Sequence, residues 1–178
     1  ENITFINYSA DSIPLAGTLT LPKDLKNPPI AILISGSGPQ DRNEELLGHK
    51  PFLVIADYLT NHGIGVFRYD DRGVGESKGD FTTATTFDFA TDVEAAIAYL
   101  KSRNDVDTSK LGLIGHSEGG IIAPMVASKN KDIAFIIILA GPAVNGSEIL
   151  LSQSRKAGEL AGTPQAFLDE NEKLASTI

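Results

Sequence analysis

A serine stands between two glycines where two apolar runs meet. Gly115-His116-Ser117-Glu118-Gly119 separates Leu111–Ile114 from Ile121–Ala123. The first run reads as a strand and the second as the opening of a helix. A strand that turns at once into a helix strains the central residue, and side chains two positions to either side would collide. Glycine at 115 and 119 removes them, so the Ser117 hydroxyl can stand at the end of a sheet. The following helix aims its N-terminus at the same spot, where its dipole favours developing negative charge. This arrangement predicts a nucleophilic serine. The competing reading is a small-residue turn with Ser117 as a helix cap.

The flanking pattern predicts the sheet. Asn2–Tyr8 and Pro14–Leu21 alternate and read as an antiparallel pair around Ala10–Ser12. Ile30–Ile34 is apolar throughout, as in a strand buried on both faces. A helix over Pro51–Asn61 follows, with Pro51 in its first turn and Gly63 just past its end. Then come a strand at Gly65–Tyr69, a polar loop at Asp70–Thr86 and a helix at Phe87–Ser102. A strand at Leu111–Gly115, a helix at Glu118–Lys129 slightly kinked by Pro124, and a strand at Ile133–Leu139 complete the series. This alternation predicts the α/β class: a doubly wound, mostly parallel sheet entered through an antiparallel pair. Helices at Ser147–Gly158 and Pro164–Ala175 have no strand after them. The sheet is expected to stop at its sixth strand, with a core over 1–145 and the start of a helical insertion over 146–178.

Charge and composition remove whole classes of function. Against 15 Lys and Arg stand 23 Asp and Glu, a net charge of -8 with no basic cluster. Nucleic acid and anionic membrane surfaces are excluded as partners. The longest apolar run, Ile133–Ala140, falls well short of the ~18 residues that span a bilayer. The absence of cysteine rules out disulfides, thiolate metal sites and a cysteine nucleophile. Neither Gly36-Ser37-Gly38 nor Gly73-Val74-Gly75 continues into a dinucleotide fingerprint, and no histidine–carboxylate cluster has metal-ligand spacing. No metal and no cofactor is expected. The chain opens on Glu1 without a signal-like segment, which leaves cytoplasm and export after processing both open.

Three motifs together resemble the α/β-hydrolase superfamily over nearly the whole chain. The elbow around Ser117 is one. Ser35-Gly36-Ser37-Gly38-Pro39-Gln40-Asp41-Arg42 stands after the third strand, where the family keeps a His-Gly oxyanion loop. Asp70-Asp71-Arg72-Gly73-Val74-Gly75-Glu76-Ser77 is similar to the family's Asp-x-Arg-Gly-x-Gly-x-Ser loop after strand four. The Gly-Ser-Gly-Pro-x-Asp-Arg form is similar to a bacterial branch of carboxylesterases and acyl hydrolases. The resemblance implies acyl transfer to water, with Ser117 attacking a small-molecule carboxylic ester or thioester. It implies that the backbone N–H groups of Glu118 and Ser37 hold the oxyanion, with Ser35 in the place of the family's histidine. Gly115, His116 and Gly119 would support the elbow, and Asp71 and Arg72 would structure the neighbouring loop as an Asp–Arg pair.

A serine nucleophile needs a base. His116 adjoins Ser117, but successive residues of an elbow point apart. His62 lies at a helix end, where an imidazolium complements the dipole. His49 is the one candidate on the site-bearing side. The family's chain order is Ser, acid, His, yet no histidine follows Ser117. Glu148, the nearest carboxylate after the sixth strand, reads most simply as part of a helix's first turn. The chain is therefore expected to be the N-terminal part of a longer hydrolase, lacking the triad acid and histidine and weak or inactive alone. Its edge at 133–139, apolar on both faces, is expected to self-associate or to pair with the missing C-terminal part. Two alternatives stay open: a peptidase, thioesterase or acyltransferase on the same scaffold, and a non-catalytic binding protein.

Overall fold

In the computed structural model, which describes residues 1–175, the chain opens with β1 (Asn2–Asn7) antiparallel to β2 (Ile13–Thr20), Phe5 opposite Leu15. β2 lies antiparallel to β4 (Gly65–Tyr69). β3 (Pro29–Ile34), β4, β5 (Asp107–His116) and β6 (Phe135–Leu139) run parallel, and the full order is β1-β2-β4-β3-β5-β6. Parallel neighbours need crossovers. These are α1 (Pro51–Asn61), α2 (Thr86–Lys101) and α3 (Gly119–Lys129), the last continuous through Pro124. Among the described residues no strand follows β6, which forms one edge of the sheet.

The unbroken apolar run of β3 has a direct cause. Ile30, Ile32 and Ile34 pack with Val93, Ile97 and Leu100 of α2 and with Ile122 and Val126 of α3. Ala31 and Leu33 turn to the opposite face and meet Phe52 and Ala56 of α1. Both faces are covered, so every position must be apolar. Each large side chain buried this way contributes roughly 1.5–3 kcal/mol.

Most boundaries fall within a residue or two of the expected ones, and the start of β5 lies four residues earlier. β5 begins at Asp107, because Asp107 pairs with Pro29 at the start of β3 and a register shift then carries the chain to Leu111 opposite Ile30. Residues 107–110 are polar and lie toward the surface, so no hydrophobic pattern marks them as strand. β6 begins only at Phe135, two residues later than its apolar run, because Ile133 is still in the turn and bonds back to the Asn130 carbonyl. α2 also carries an N-terminal signal: Thr85 and Asp88 form a reciprocal capping box.

The contacts group into two units, Glu1–Gly141 and the segment from Pro142 onward. In the second, α4 (Gly146–Leu160) and α5 (Gln165–Ala175) pack together around buried Leu168. Among the described residues no helix is long and apolar enough to cross a membrane.

Candidate active site

Ser117 occupies the turn between β5 and α3 with a φ of 50°, left-handed for a residue other than glycine. Such a conformation costs about 1–3 kcal/mol and persists only where its surroundings enforce it. The Ser117 N–H donates to the Leu139 carbonyl at 3.0 Å, and its own carbonyl accepts from Gly120 at 2.9 Å. A Cβ on Gly115 would lie 2.0 Å from the Gly119 carbonyl oxygen, and one on Gly119 would lie 2.3 Å from the Ile34 carbonyl oxygen. The first turn of α3 therefore presses against the backbone of β5 and β3, and neither position has room for a side chain. The helix N-cap is Glu118, with no side-chain cap, so Ser117 is not a capping residue. The Glu118 carboxylate accepts from Thr86 Oγ1 at 2.7 Å. Among the described residues, the N–H groups of Glu118 and Ser37 donate to no partner.

The loop after β3 lies against this turn. A Cβ on Gly36 would stand 3.1 Å from Ser117 Cβ. Asp71 braces both ends of the loop, accepting from Ser35 Oγ at 2.7 Å and from the Gln40 N–H at 3.0 Å. Arg42 forks onto Asp70 through Nε at 2.9 Å and Nη2 at 2.6 Å, and its backbone N–H adds a third bond at 2.8 Å. It also reaches Glu76 at 2.6 Å.

The expected Asp71–Arg72 pair does not form. Consecutive residues at a strand end project to opposite sides, so Asp71 faces the Ser35–Arg42 loop and Arg72 faces α2. There Arg72 Nε and Nη2 donate to Asp92 at 2.8 and 2.9 Å, and Asn7 Nδ2 donates to the same carboxylate at 2.7 Å. Asp71 and Arg72 are only 6% and 7% exposed, so neither belongs to a solvated surface bridge.

Burial pushes the Asp71 carboxyl up to about 7; the Ser35 and Gln40 donors pull it down, and the Asp92 and Glu118 carboxylates push it further up. The folded chain thus holds this proton more tightly than the unfolded chain does. Its stabilising effect is complete below the ordinary value of 3.8 and is lost as pH rises to about 7. Asp71→Asn has no such proton. The stability of the wild type relative to this variant is expected to fall by about 2–4 kcal/mol between those pH values, measured by urea unfolding. A difference that stays flat with pH would refute the buried-proton assignment.

The histidines occupy three different settings. His116 Nδ1 lies 2.7 Å from Oε1 of Glu44, and the Gly36 N–H donates to that same oxygen at 2.7 Å. Nothing in the sequence marks Glu44 as a buried group, since it sits in a polar turn with another glutamate beside it. The only trace is Asp41, whose carboxylate collects the N–H groups of Asn43 and Glu45 and so builds the turn. The His62 ring donates to the Tyr58 carbonyl at 2.7 Å and stacks on the Tyr58 ring at the C-terminal end of α1. His49 lines a cavity of about 440 Å³ together with Ser37, Leu46, Leu47 and Ser117. Among the described residues no imidazole is hydrogen-bonded to the Ser117 hydroxyl. Glu148 belongs to the first turn of α4, where it exchanges two bonds with Asn145. Larger clefts, about 560 Å³ beside β1 and about 590 Å³ between α4 and α5, bring no such serine and loop together.

A mostly parallel sheet, a serine on a glycine-flanked turn after β5 and a glycine-rich loop after β3 define an α/β hydrolase. The family model described as serine aminopeptidase S33 matches residues 50–170, and the chain belongs to that family. Esterase EstD of Thermotoga maritima is 32% identical over 162 residues, 90% of this chain and 39% of that protein. The putative hydrolase YtaP of Bacillus subtilis is 29% identical over 135 residues, 66% of this chain and 45% of that protein. The chain spans less than half the length of either relative. Among solved structures, the Pyrococcus furiosus esterase Pf2001 superposes with a TM-score of 0.71 at 19% identity, over 98% of this chain and 63% of that one. Butyrivibrio proteoclasticus Est1E with ferulic acid bound superposes at 0.66 with 27% identity, over 78% and 52% of the two chains.

Proposed function

We propose that Ser117 is the nucleophile of a serine hydrolase that cleaves carboxylic esters or thioesters. The carrying observation is its left-handed turn, with the Gly36–Ser37 loop packed against it and the Ser37 and Glu118 N–H groups uncommitted. In this reading Ser117 Oγ adds to the carbonyl carbon and the carbonyl electrons move to oxygen. That oxyanion accepts the two N–H donors, each worth about 10²–10³ in rate. Collapse expels the alcohol or thiol, which takes the serine's proton by way of the base, and water then releases the acid from the acyl-enzyme. The esterase name of the Thermotoga relative supports an ester substrate.

The base is the missing element. His116 is engaged by Glu44, His62 by Tyr58, and His49 shares the cavity without bonding the serine. Acid and base then come from outside these 178 residues, and the chain alone is a weak or dead catalyst. A fluorophosphonate probe tests both parts. The full-length protein should label rapidly and Ser117→Ala should not, while the isolated chain should label slowly. Rapid Ser117-dependent labelling of the isolated chain would show a base within it. Labelling that survives Ser117→Ala would remove the nucleophile assignment altogether. The description of the matching family favours a second reading, amide cleavage at the same serine. Turnover of aminoacyl anilides but not of nitrophenyl esters would select it.

We also propose that the isolated chain self-associates through β6. This strand presents Phe135, Ile136, Ile137 and Ile138 with 36–47% exposure on a sheet edge, where unpaired backbone groups recruit a further strand. Sedimentation velocity should show concentration-dependent oligomers that Ile137→Lys reduces to monomer. A wild type that stays monomeric at high concentration contradicts the proposal.

A further inference from the structure

We propose that Glu44 is a positioning residue that sets the distance between the oxyanion loop and the nucleophile. This rests on the reading of Ser117 and Ser37 given above. One oxygen, Oε1, receives both the Gly36 N–H and His116 Nδ1, each at 2.7 Å. Gly36 immediately precedes the proposed donor Ser37, and His116 immediately precedes Ser117. A single buried acceptor therefore ties together the residues just before each half of the chemistry.

The arrangement is tight. A Cβ at position 36 would meet Ser117 Cβ at 3.1 Å and both Glu44 Oε1 and His116 Nδ1 at 3.3 Å. Glu44 is 7% exposed and has a φ of 52°, so its backbone is strained as Ser117's is. The strain is held from several sides. The Glu44 N–H donates to the Asp41 carbonyl at 2.9 Å, and the Phe52 N–H at the start of α1 donates to the Asn43 carbonyl at 3.1 Å. Arg68 bonds the Asn43 side chain, and Arg42 locks the segment to Asp70. A braced turn thus delivers one carboxylate to one place.

The role is geometric. A negative charge so near the loop opposes an oxyanion, so what the site needs from Glu44 is an acceptor atom at this position. Glutamine retains that atom and removes the charge. In the full-length enzyme, Glu44→Ala should lower kcat about 10–100-fold, the scale of a small misplacement of reacting groups. KM should stay within about threefold, because Glu44 borders the cavity but is only 7% exposed and offers little surface to a substrate. Glu44→Gln should return kcat to within about threefold of wild type. Wild-type kcat in Glu44→Ala, a loss confined to KM, or a Gln variant as impaired as the Ala variant would overturn the proposal. If the Ala variant does not fold, Glu44→Asp carries the test. Its carboxylate is one methylene shorter and cannot span Gly36 and His116 together, so kcat should fall at least about tenfold, and an unchanged kcat would overturn it. Ser117→Ala separates the two failures. Hydrolysis that does not depend on Ser117 removes the nucleophile reading. Ser117-dependent hydrolysis that ignores Glu44 removes only the positioning role.

Discussion

Gly115→Ala is expected to destabilise the fold by at least about 3 kcal/mol, the upper end of what overpacking costs, and to extinguish labelling at Ser117. The added methyl would sit 2.0 Å from the Gly119 carbonyl oxygen. Relief requires the first turn of α3 to retreat, but a Cβ at 119 would already be 2.3 Å from the Ile34 carbonyl oxygen and 2.8 Å from that of Ser35. Three backbone segments are in mutual contact, and none ends in a flexible side chain that could give way. Gly146→Ala is the control, because a Cβ there meets nothing within 4 Å and should change stability by less than about 0.5 kcal/mol. Urea unfolding of the two variants reads the contrast. Equal stabilities would mean the elbow can relax, and the steric account of Ser117 would have to be abandoned.

Arg72→Ala should cost about 3–5 kcal/mol, the range for breaking a buried ion pair from one side. Asp92 is buried with two donors from Arg72 and one from Asn7, and the variant leaves only Asn7. Burial already raises the Asp92 carboxyl above its ordinary value, against the opposing pull of Arg72 and Asn7. Without the guanidinium that carboxyl rises further. A carboxyl raised in the fold favours the folded state at low pH and loses that contribution as pH climbs through the folded value. The deficit of Arg72→Ala should therefore be larger at pH about 8 than at pH about 5. A double-mutant cycle with Asp92→Leu should show coupling of more than about 1 kcal/mol, and strict additivity would mean that the pair is not a unit.

These expectations also show where the sequence is legible. The strands could be read because a sheet covered on both faces demands apolar runs, and Ile30–Ile34 obeys that demand residue by residue. The elbow could be read because its glycines answer a local steric problem. The charged residues around it could not be paired by inspection. Asp70, Asp71 and Arg72 are consecutive, yet they bond to Arg42, to Ser35 and Gln40, and to Asp92. Partner choice there depends on which side of a strand end each residue faces and on what the sheet order brings alongside. Neither leaves a periodic trace. Glu44 was invisible for a related reason: its burial is made by tertiary contacts of a turn whose composition is that of a solvated loop.

The brace that runs from Arg42 to Asp70 and from Ser35 and Gln40 to Asp71 has a practical corollary. Two segments that a protein engineer would treat as separate cassettes form one module. Recombining the Gly-Ser-Gly-Pro stretch into another hydrolase transfers a working shape only if the twin aspartates travel with it, and libraries that randomise either segment alone sample mostly broken architectures.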